Sequence, residues 1–172
     1  MPNFLENVFA QLDKNASRVV IREIRGESFH ELTGAQLLQQ IGRAQQWIRQ
    51  RNLSSGDRVA IVGPNSMRWI AIDLALMTEG LIVVPLYHRQ AAGELVAVMR
   101  DCRPSTLIAD GGALRDAIAA AWPADAGFRF ETVLFDEILA TSAIGRAEEQ
   151  TDGARPHEIH LPGGDCTTEI FQ

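Results

Sequence analysis

The chain has 172 residues, a net charge of −6, and 46% hydrophobic and 22% charged residues. This balance is typical of a soluble globular protein that is long enough to bury a core. It gives no basic footprint for nucleic acid or an anionic membrane, and no apolar stretch is long enough to span a bilayer. Cys102 and Cys166 do not make a disulfide framework, so we expect reduced thiols and a cytoplasmic location. Lys14 is the only lysine among the 16 basic residues.

The first third of the chain predicts two helices that flank a hairpin. Apolar residues at i, i+4 and i+8 indicate an amphipathic helix over residues 3–14. Residues 18–25 are rich in β-branched side chains and predict a strand that turns at Gly26-Glu27 and returns over residues 28–32. Thr33 is a candidate N-cap for a helix over residues 34–51, whose apolar stripe has spacings of 4, 3 and 4.

From residue 58 onward the pattern alternates regularly between strands and helices. The helix over 67–79, with Asn65 or Ser66 as N-cap and Gly80 as its left-handed end, is apolar nearly all round. The apolar run 81–84 predicts a parallel strand that is covered on both faces. The next helix has Leu95, Val98, Met99 and Cys102 on one side. The predicted strands are 58–62, 81–84, 106–109 and 132–135, and the helices between them are 67–79, 91–101 and 112–122.

This order predicts an α/β fold, a parallel-sheet βαβ subdomain with an N-terminal β-hairpin. Residues 1–140 form the predicted scaffold subdomain. From Thr141 to Gly164 the pattern stops, and this Gly- and Pro-containing stretch is typical of a linker. Residues 166–172 read as the start of a further strand, so we predict that 141–172 is a linker and the opening of a truncated strand.

Two βα turns could present backbone N–H groups to an anion, since helix N-termini bind phosphate. They are Gly63-Pro64-Asn65-Ser66 and Asp110-Gly111-Gly112. The chain contains neither a Walker-type loop nor a Gly-x-Gly-x-x-Gly motif. Every βα unit has such a turn, so an ordinary connecting role is the competing interpretation.

Other reactive side chains give weaker signals. Tyr87-His88-Arg89 follows a predicted strand at its carboxyl end, where open α/β sheets place ligands, although a polar loop has the same appearance. His157 and His160 stand near Asp165 and Cys166, but no finger-like spacing is present, so a metal site is not favoured. We interpret His30 as a surface strand residue. The acid pairs Asp136-Glu137 and Glu148-Glu149 are typical of solvated charges, and no nucleophile elbow is present.

Five segments in one order carry a family resemblance. They resemble the "L-T-(Y/W)-x-E-L", "G-D-R-V-A", "P-N-S-x-x-W", "A-G-A-V-x-V-P-L-Y/N" and "x-x-S-x-x-x-V" segments of AMP-forming acyl-CoA synthetases, within the adenylate-forming superfamily. The resemblance covers about residues 1–140, and residues 165–172 resemble the opening of the strand before that family's phosphate loop. The segments are 31–37 (ELTGAQL), 53–61 (LSSGDRVAI), 64–69 (PNSMRW), 80–87 (GLIVVPLY) and 101–108 (DCRPSTLI).

The resemblance implies that this chain is an N-terminal fragment, part of the large N-terminal domain of such an enzyme. The parent would activate a carboxylate, in the fatty-acyl branch a fatty acid, with ATP and Mg²⁺ and pass the acyl group to CoA. The phosphate loop, the acyl pocket and the catalytic lysine of the family are not among these 172 residues. We therefore assign no catalytic, cofactor-binding or metal residue and expect no ligase activity from the fragment alone.

The predicted partners are the remainder of the parent chain, the parent's carboxylate substrate and, through surfaces that truncation would expose, a second copy of the fragment. Two other interpretations stay open. One is a stand-alone binding or regulatory domain that keeps the scaffold without the chemistry. The other is a flavodoxin-like nucleotide-binding domain, for which Gly63-Pro64-Asn65 is a poor phosphate turn.

Overall fold

The computed structural model describes residues 3–140. Within that range the chain forms an antiparallel hairpin and a four-stranded parallel sheet with helices on both faces. This is the predicted α/β class with its N-terminal hairpin. The predicted linker, the strand start at 166–172 and the candidates Glu148-Glu149, His157, His160, Asp165 and Cys166 lie outside the described residues.

The first helix and the hairpin form where the sequence predicts them. Asn3 caps helix α1, because its Oδ1 accepts the Glu6 N–H at 2.8 Å while the Asn3 N–H donates to the Glu6 carboxylate at 2.9 Å. Arg25 pairs with Ser28 across the two-residue turn, where Gly26 takes a φ of +60°. The elements are α1 (Phe4–Lys14), β1 (Val19–Arg25) and β2 (Ser28–Thr33).

The remaining elements follow in alternation. Thr33 and Ser66 are N-caps, as predicted, and accept hydrogen bonds from the Gln36 and Trp69 N–H groups. Gly80 ends its helix with a φ of +75°. The elements are α2 (Gly34–Arg49), β3 (Arg58–Gly63), α3 (Met67–Thr78), β4 (Ile82–Tyr87), α4 (Ala92–Cys102), β5 (Thr106–Ala109), α5 (Gly112–Ala121), β6 (Glu131–Leu134) and α6 (Phe135–Leu139).

The parallel strands lie in the order β4-β3-β5-β6. Side chains of β3 alternate between two buried cores, as a period of two requires. Val59 and Ile61 join α1, α2, α3 and α6 in one core. Ala60 and Val62 join α4 and α5 in the other. The sheet is therefore the middle layer, and both its faces are covered by helices.

The prediction that the 81–84 run is covered on both faces is wrong. β4 lies at the edge of the sheet, and Ile82 is 47% exposed. An apolar run rich in β-branched residues predicts a strand, but it does not predict the position of that strand in its sheet. Pro85 fits the edge position, because a proline has no N–H to donate to a neighbouring strand. The central strands β3 and β5 hold the buried positions instead.

Two further expectations are corrected. Val98 is 41% exposed, and Val96 takes the buried position beside Leu95 and Met99 on α4. Phe135, predicted as the end of a strand, begins the short helix α6 and is fully buried. The Glu137 carboxylate accepts the Leu134 N–H at 3.0 Å, and this contact stops β6 one residue early and starts the helix.

Candidate functional site

The carboxyl ends of the four parallel strands meet at one edge of the sheet. The chain passes from β3 to β4 on one side and then returns to β5 on the other side of β3. Such a switch point is where open α/β sheets place ligands. The turns Gly63-Pro64-Asn65-Ser66 and Asp110-Gly111-Gly112, both predicted from the sequence, lie at this point. This edge is the candidate functional site.

Arg68 ties three elements together at this edge. From the first turn of α3 its Nη2 donates to Asp136 Oδ1 at 2.7 Å, and its Nη1 lies 3.9 Å from Asp110 Oδ1. Its guanidinium carbon lies 5.6 Å from the centre of the Phe135 ring. Because two carboxylates face it, its charge is already balanced. Arg68 thus joins α3, the β5–α5 turn and α6 and is not a free phosphate clamp.

Close packing fills the space between β3 and β5 at their carboxyl ends. A Cβ on Gly63 would lie 2.7 Å from the Asp110 Cβ and 3.2 Å from the Phe135 Cζ. The Asp110 N–H donates to the Val62 carbonyl at 2.9 Å, which fixes the start of the β5–α5 turn. Position 63 therefore admits only glycine without a local shift.

The two anion candidates differ in how their helix ends are satisfied. Ser66 Oγ accepts the Trp69 N–H at 3.2 Å, so this hydroxyl is used as a helix cap. Gly111, the N-cap of α5, makes no side-chain capping bond. No anion role follows from either arrangement, and anion binding at both turns stays a prediction.

Tyr87-His88-Arg89 lies at the end of β4, where Tyr87 is 58% exposed and Gly63 is its partner on β3. The Tyr87 and His88 rings meet edge to face with their centres 5.6 Å apart. Tyr87-His88-Arg89 thus lies at the carboxyl edge, as the sequence predicts. A ligand role for these residues stays a prediction. His30 is an exposed strand residue.

The pair Asp136-Glu137 does more than the sequence indicates. Asp136 is 83% exposed and yet binds Arg68, while Glu137 caps α6. Sequence reasoning missed Arg68 because its partner stands 68 positions later. The only signal was the placement of Asp136 directly after a predicted strand and of Arg68 in the first turn of a predicted helix. Residues 3–140 contain no group of three His, Cys, Asp or Glu side chains that could hold a metal ion.

Among the carboxyl groups of residues 3–140, Asp73 has the largest shift in pKa. It lies on α3 among apolar neighbours and makes no ion pair within the described part of the chain. Burial raises its pKa from 3.8 to about 6. Burial also raises the pKa of the Cys102 thiol, so this cysteine is not an activated nucleophile.

Comparison with known proteins identifies the class. The sequence profile of the AMP-binding enzyme family matches residues 8–163. The chain therefore belongs to the AMP-binding enzyme family, whose members form adenylates. The family includes acyl-CoA ligases and the adenylation domains of peptide synthetases.

Three curated relatives illustrate the range of that family. The chain is 34% identical over 110 residues to the hybrid PKS-NRPS synthetase xenE of Xenoacremonium sinensis, covering 64% of this chain and 3% of the relative. It is 37% identical over 92 residues to the mitochondrial medium-chain acyl-CoA ligase ACSF2 of Rattus norvegicus, covering 52% and 15%. It is 25% identical over 125 residues to the chloroplastic long-chain-fatty-acid–[acyl-carrier-protein] ligase AEE15 of Arabidopsis thaliana, covering 73% and 17%. The match thus spans less than a fifth of each of these relatives.

Solved structures share the fold. The N-terminal subdomain of NpsA from Klebsiella oxytoca superposes with a TM-score of 0.62 at 19% identity, over 87% of this chain and 34% of that chain. VinN in complex with L-aspartate gives a TM-score of 0.65 at 17% identity, over 79% and 36%. The predicted fold, part of the N-terminal domain of adenylate-forming enzymes, is confirmed.

Proposed function

We propose that the protein to which this chain belongs is an acid–thiol ligase. A carboxylate oxygen attacks the α-phosphorus of ATP, pyrophosphate leaves, and an acyl-adenylate forms. The thiol of CoA then attacks the acyl carbon, and AMP leaves with the bonding electron pair. Mg²⁺ offsets the phosphate charge. The observation that carries this proposal is the family match over residues 8–163.

A fatty acid is the proposed carboxylate and CoA the proposed acceptor. The run Val83–Tyr87 on β4 and the hairpin segment 21–26 resemble the fatty-acyl branch. The 37% identity to a medium-chain acyl-CoA ligase supports the same branch. Thr78-Glu79-Gly80 and His88 depart from the usual pattern of that branch, so acyl length is left open.

A second candidate differs in the acceptor. The 34% identity to a hybrid PKS-NRPS synthetase favours transfer to the thiol of a carrier protein. Both candidates share the adenylate step and differ only in the thiol that receives the acyl group. A stand-alone binding or regulatory domain that keeps the scaffold is the third possibility.

We assign this chain the role of scaffold. Arg68 is neutralised by Asp110 and Asp136 and is not a free phosphate clamp. ATP, Mg²⁺, CoA and the carboxylate would bind to residues elsewhere in the same protein, which is the main partner of this chain. We propose a cytoplasmic location. No helix within residues 3–140 is long and apolar enough to cross a membrane.

The acceptor can be tested with the protein encoded when the source gene is read past Gln172. A continuation into Thr-Ser-Gly-Thr-Thr-Gly would supply the phosphate loop of the family, whereas an immediate stop codon would favour the stand-alone domain. The longer product, given ATP, Mg²⁺ and decanoate, should form decanoyl-CoA when CoA is present. With a carrier protein supplied beside CoA, mass spectrometry that finds decanoyl-AMP and carrier-protein thioesters but no decanoyl-CoA would support the second candidate instead.

A further inference from the structure

A cavity of about 610 Å³ lies on the α4–α5 side of the sheet. Arg68, Asp110 and Asp136 are not among the residues that line it. Its volume falls in the range of small-molecule sites. One wall is a single face of α5, since its residues follow the i, i+3, i+4, i+7 spacing of a helix. The opposite wall is the segment that leads into β6, and the floor is provided by Leu107. These residues are Arg115, Ile118 and Ala119 of α5 and Trp122, the C-cap of that helix.

Three aromatic rings line one end of this cavity. The Trp122 ring meets Phe130 edge to face with centres 4.7 Å apart, and it meets Phe128 in the same way at 5.1 Å. All three side chains are only partly buried, so their apolar surface is not fully used by the protein core. Edge-to-face rings fix one another and offer a preformed surface to a further ring. These features favour an aromatic ligand.

The charge of the wall favours an anion. Arg115 and Arg129 line the cavity, and no acidic residue does. The Arg115 Nε donates to Asp116 Oδ1 at 2.8 Å, which holds the guanidinium. Its two terminal amino groups make no hydrogen bond to residues 3–140. Those two groups form a fork that matches a carboxylate.

We propose that this cavity binds an aromatic carboxylic acid, with its ring against Trp122, Phe128 and Phe130 and its carboxylate on Arg115. The site lies on the opposite side of the sheet from Asp73 and α3, and its Arg115 lies beside Gly112 at the carboxyl edge. The proposal concerns binding by the described residues and does not depend on the ligase activity proposed above.

The test is isothermal titration calorimetry of the 172-residue chain with naphthalene-2-carboxylate, the neutral naphthalene-2-carboxamide and octanoate. The aromatic acid should bind about tenfold more tightly than the amide, because only the acid has a carboxylate that can accept two charge-assisted hydrogen bonds from Arg115. It should also bind more tightly than octanoate, which cannot use the ring surface. Equal affinity for acid and amide, stronger binding of octanoate, or no binding of any of the three would overturn the proposal.

Two substitutions at exposed side chains sharpen the test without disturbing the core. Arg115→Gln should reduce the affinity for the aromatic acid to that of the amide. Asp116→Asn should raise the affinity, because it removes a negative charge beside the bound carboxylate while the new side-chain amide oxygen can still accept from Arg115 Nε. Circular dichroism and a melting curve establish that both variants fold. A folded Arg115→Gln variant with unchanged affinity would show that the acid binds elsewhere.

Discussion

The carboxylate of Glu23 on the hairpin accepts a hydrogen bond from the Met67 N–H, the first residue of α3, at 3.0 Å. The same carboxylate binds Arg25 at 2.6 Å. One side chain therefore satisfies an open N–H at a helix start and anchors a two-stranded sheet that would be marginal alone. Ser66 Oγ accepts the Trp69 N–H of the same helix, so Glu23 and Ser66 each satisfy one open N–H group in its first turn.

Replacement of Glu23 by alanine should lower the free energy of unfolding by about 1–2 kcal/mol, since it removes a helix-terminal hydrogen bond. Partial burial opposes ionisation of Glu23, but the Met67 N–H and Arg25 outweigh it and lower its pKa. A lowered carboxyl pKa gives stability that is present at neutral pH and is lost as pH falls through the folded value. Urea unfolding at neutral and acid pH measures both effects. Equal stability of the variant and the parent at neutral pH would contradict this role.

Asp73 should make the protein less stable at alkaline pH than at mildly acid pH. Its folded pKa of about 6 lies above its ordinary value of 3.8, so the stability linked to its proton is fully present below about pH 4 and is lost as pH rises through 6. Asp73→Asn removes this dependence and should raise stability at neutral pH by about 1 kcal/mol, a figure discounted because part of the carboxyl contacts water. Melting temperatures of both proteins across this pH range measure the difference. Parallel pH profiles would contradict the assignment.

Gly63→Ala should destabilise the fold by about 1–3 kcal/mol, because the new Cβ would press on Asp110 and Phe135. Gly42→Ala is the matched control. Gly42 is exposed within α2, and a Cβ there meets nothing within 4 Å. Gly42→Ala should therefore raise the free energy of unfolding by about 0.5–1 kcal/mol. Chemical denaturation of both variants distinguishes steric crowding from a general effect of adding a methyl group, and equal changes would argue against crowding.

The hairpin should mediate self-association of the chain. Ile24 and Phe29 face each other across the strands and are 77% and 60% exposed. Exposed apolar surface of this kind tends to acquire a partner. Size-exclusion chromatography over a wide concentration range should show concentration-dependent dimers that Ile24→Lys weakens. Val98→Lys, at an exposed valine on α4, is the control and should leave the elution unchanged. A strict monomer at every concentration would rule out this surface.

The sequence predicts local structure well where short-range chemistry decides it. Thr33, Ser66 and Gly80 mark helix ends because caps and left-handed turns need particular residues. The position of β4 at the sheet edge and the burial of Val96 instead of Val98 depend on neighbours from distant parts of the chain. Strand order is one such property, and an apolar run does not encode it.

The candidate site shows the same division. The turns at Gly63 and Asp110 could be placed at the carboxyl edge from the strand pattern alone. The joining of Arg68 to Asp136 could not, since nothing near either residue in the sequence identifies its partner. The family resemblance depends on five ordered segments between residues 31 and 108, and we expect these segments to form scaffold and to carry no catalytic group.

The central claim is that this chain is scaffold and that adenylate chemistry requires residues outside it. Carboxylate-dependent exchange of pyrophosphate into ATP tests this most directly, measured side by side on the 172-residue chain and on the product of the gene read past Gln172. We expect no exchange from the 172-residue chain and carboxylate-dependent exchange from the longer product. Exchange catalysed by the 172-residue chain alone, or a folded longer product that gives none with a panel of carboxylates, would contradict the claim.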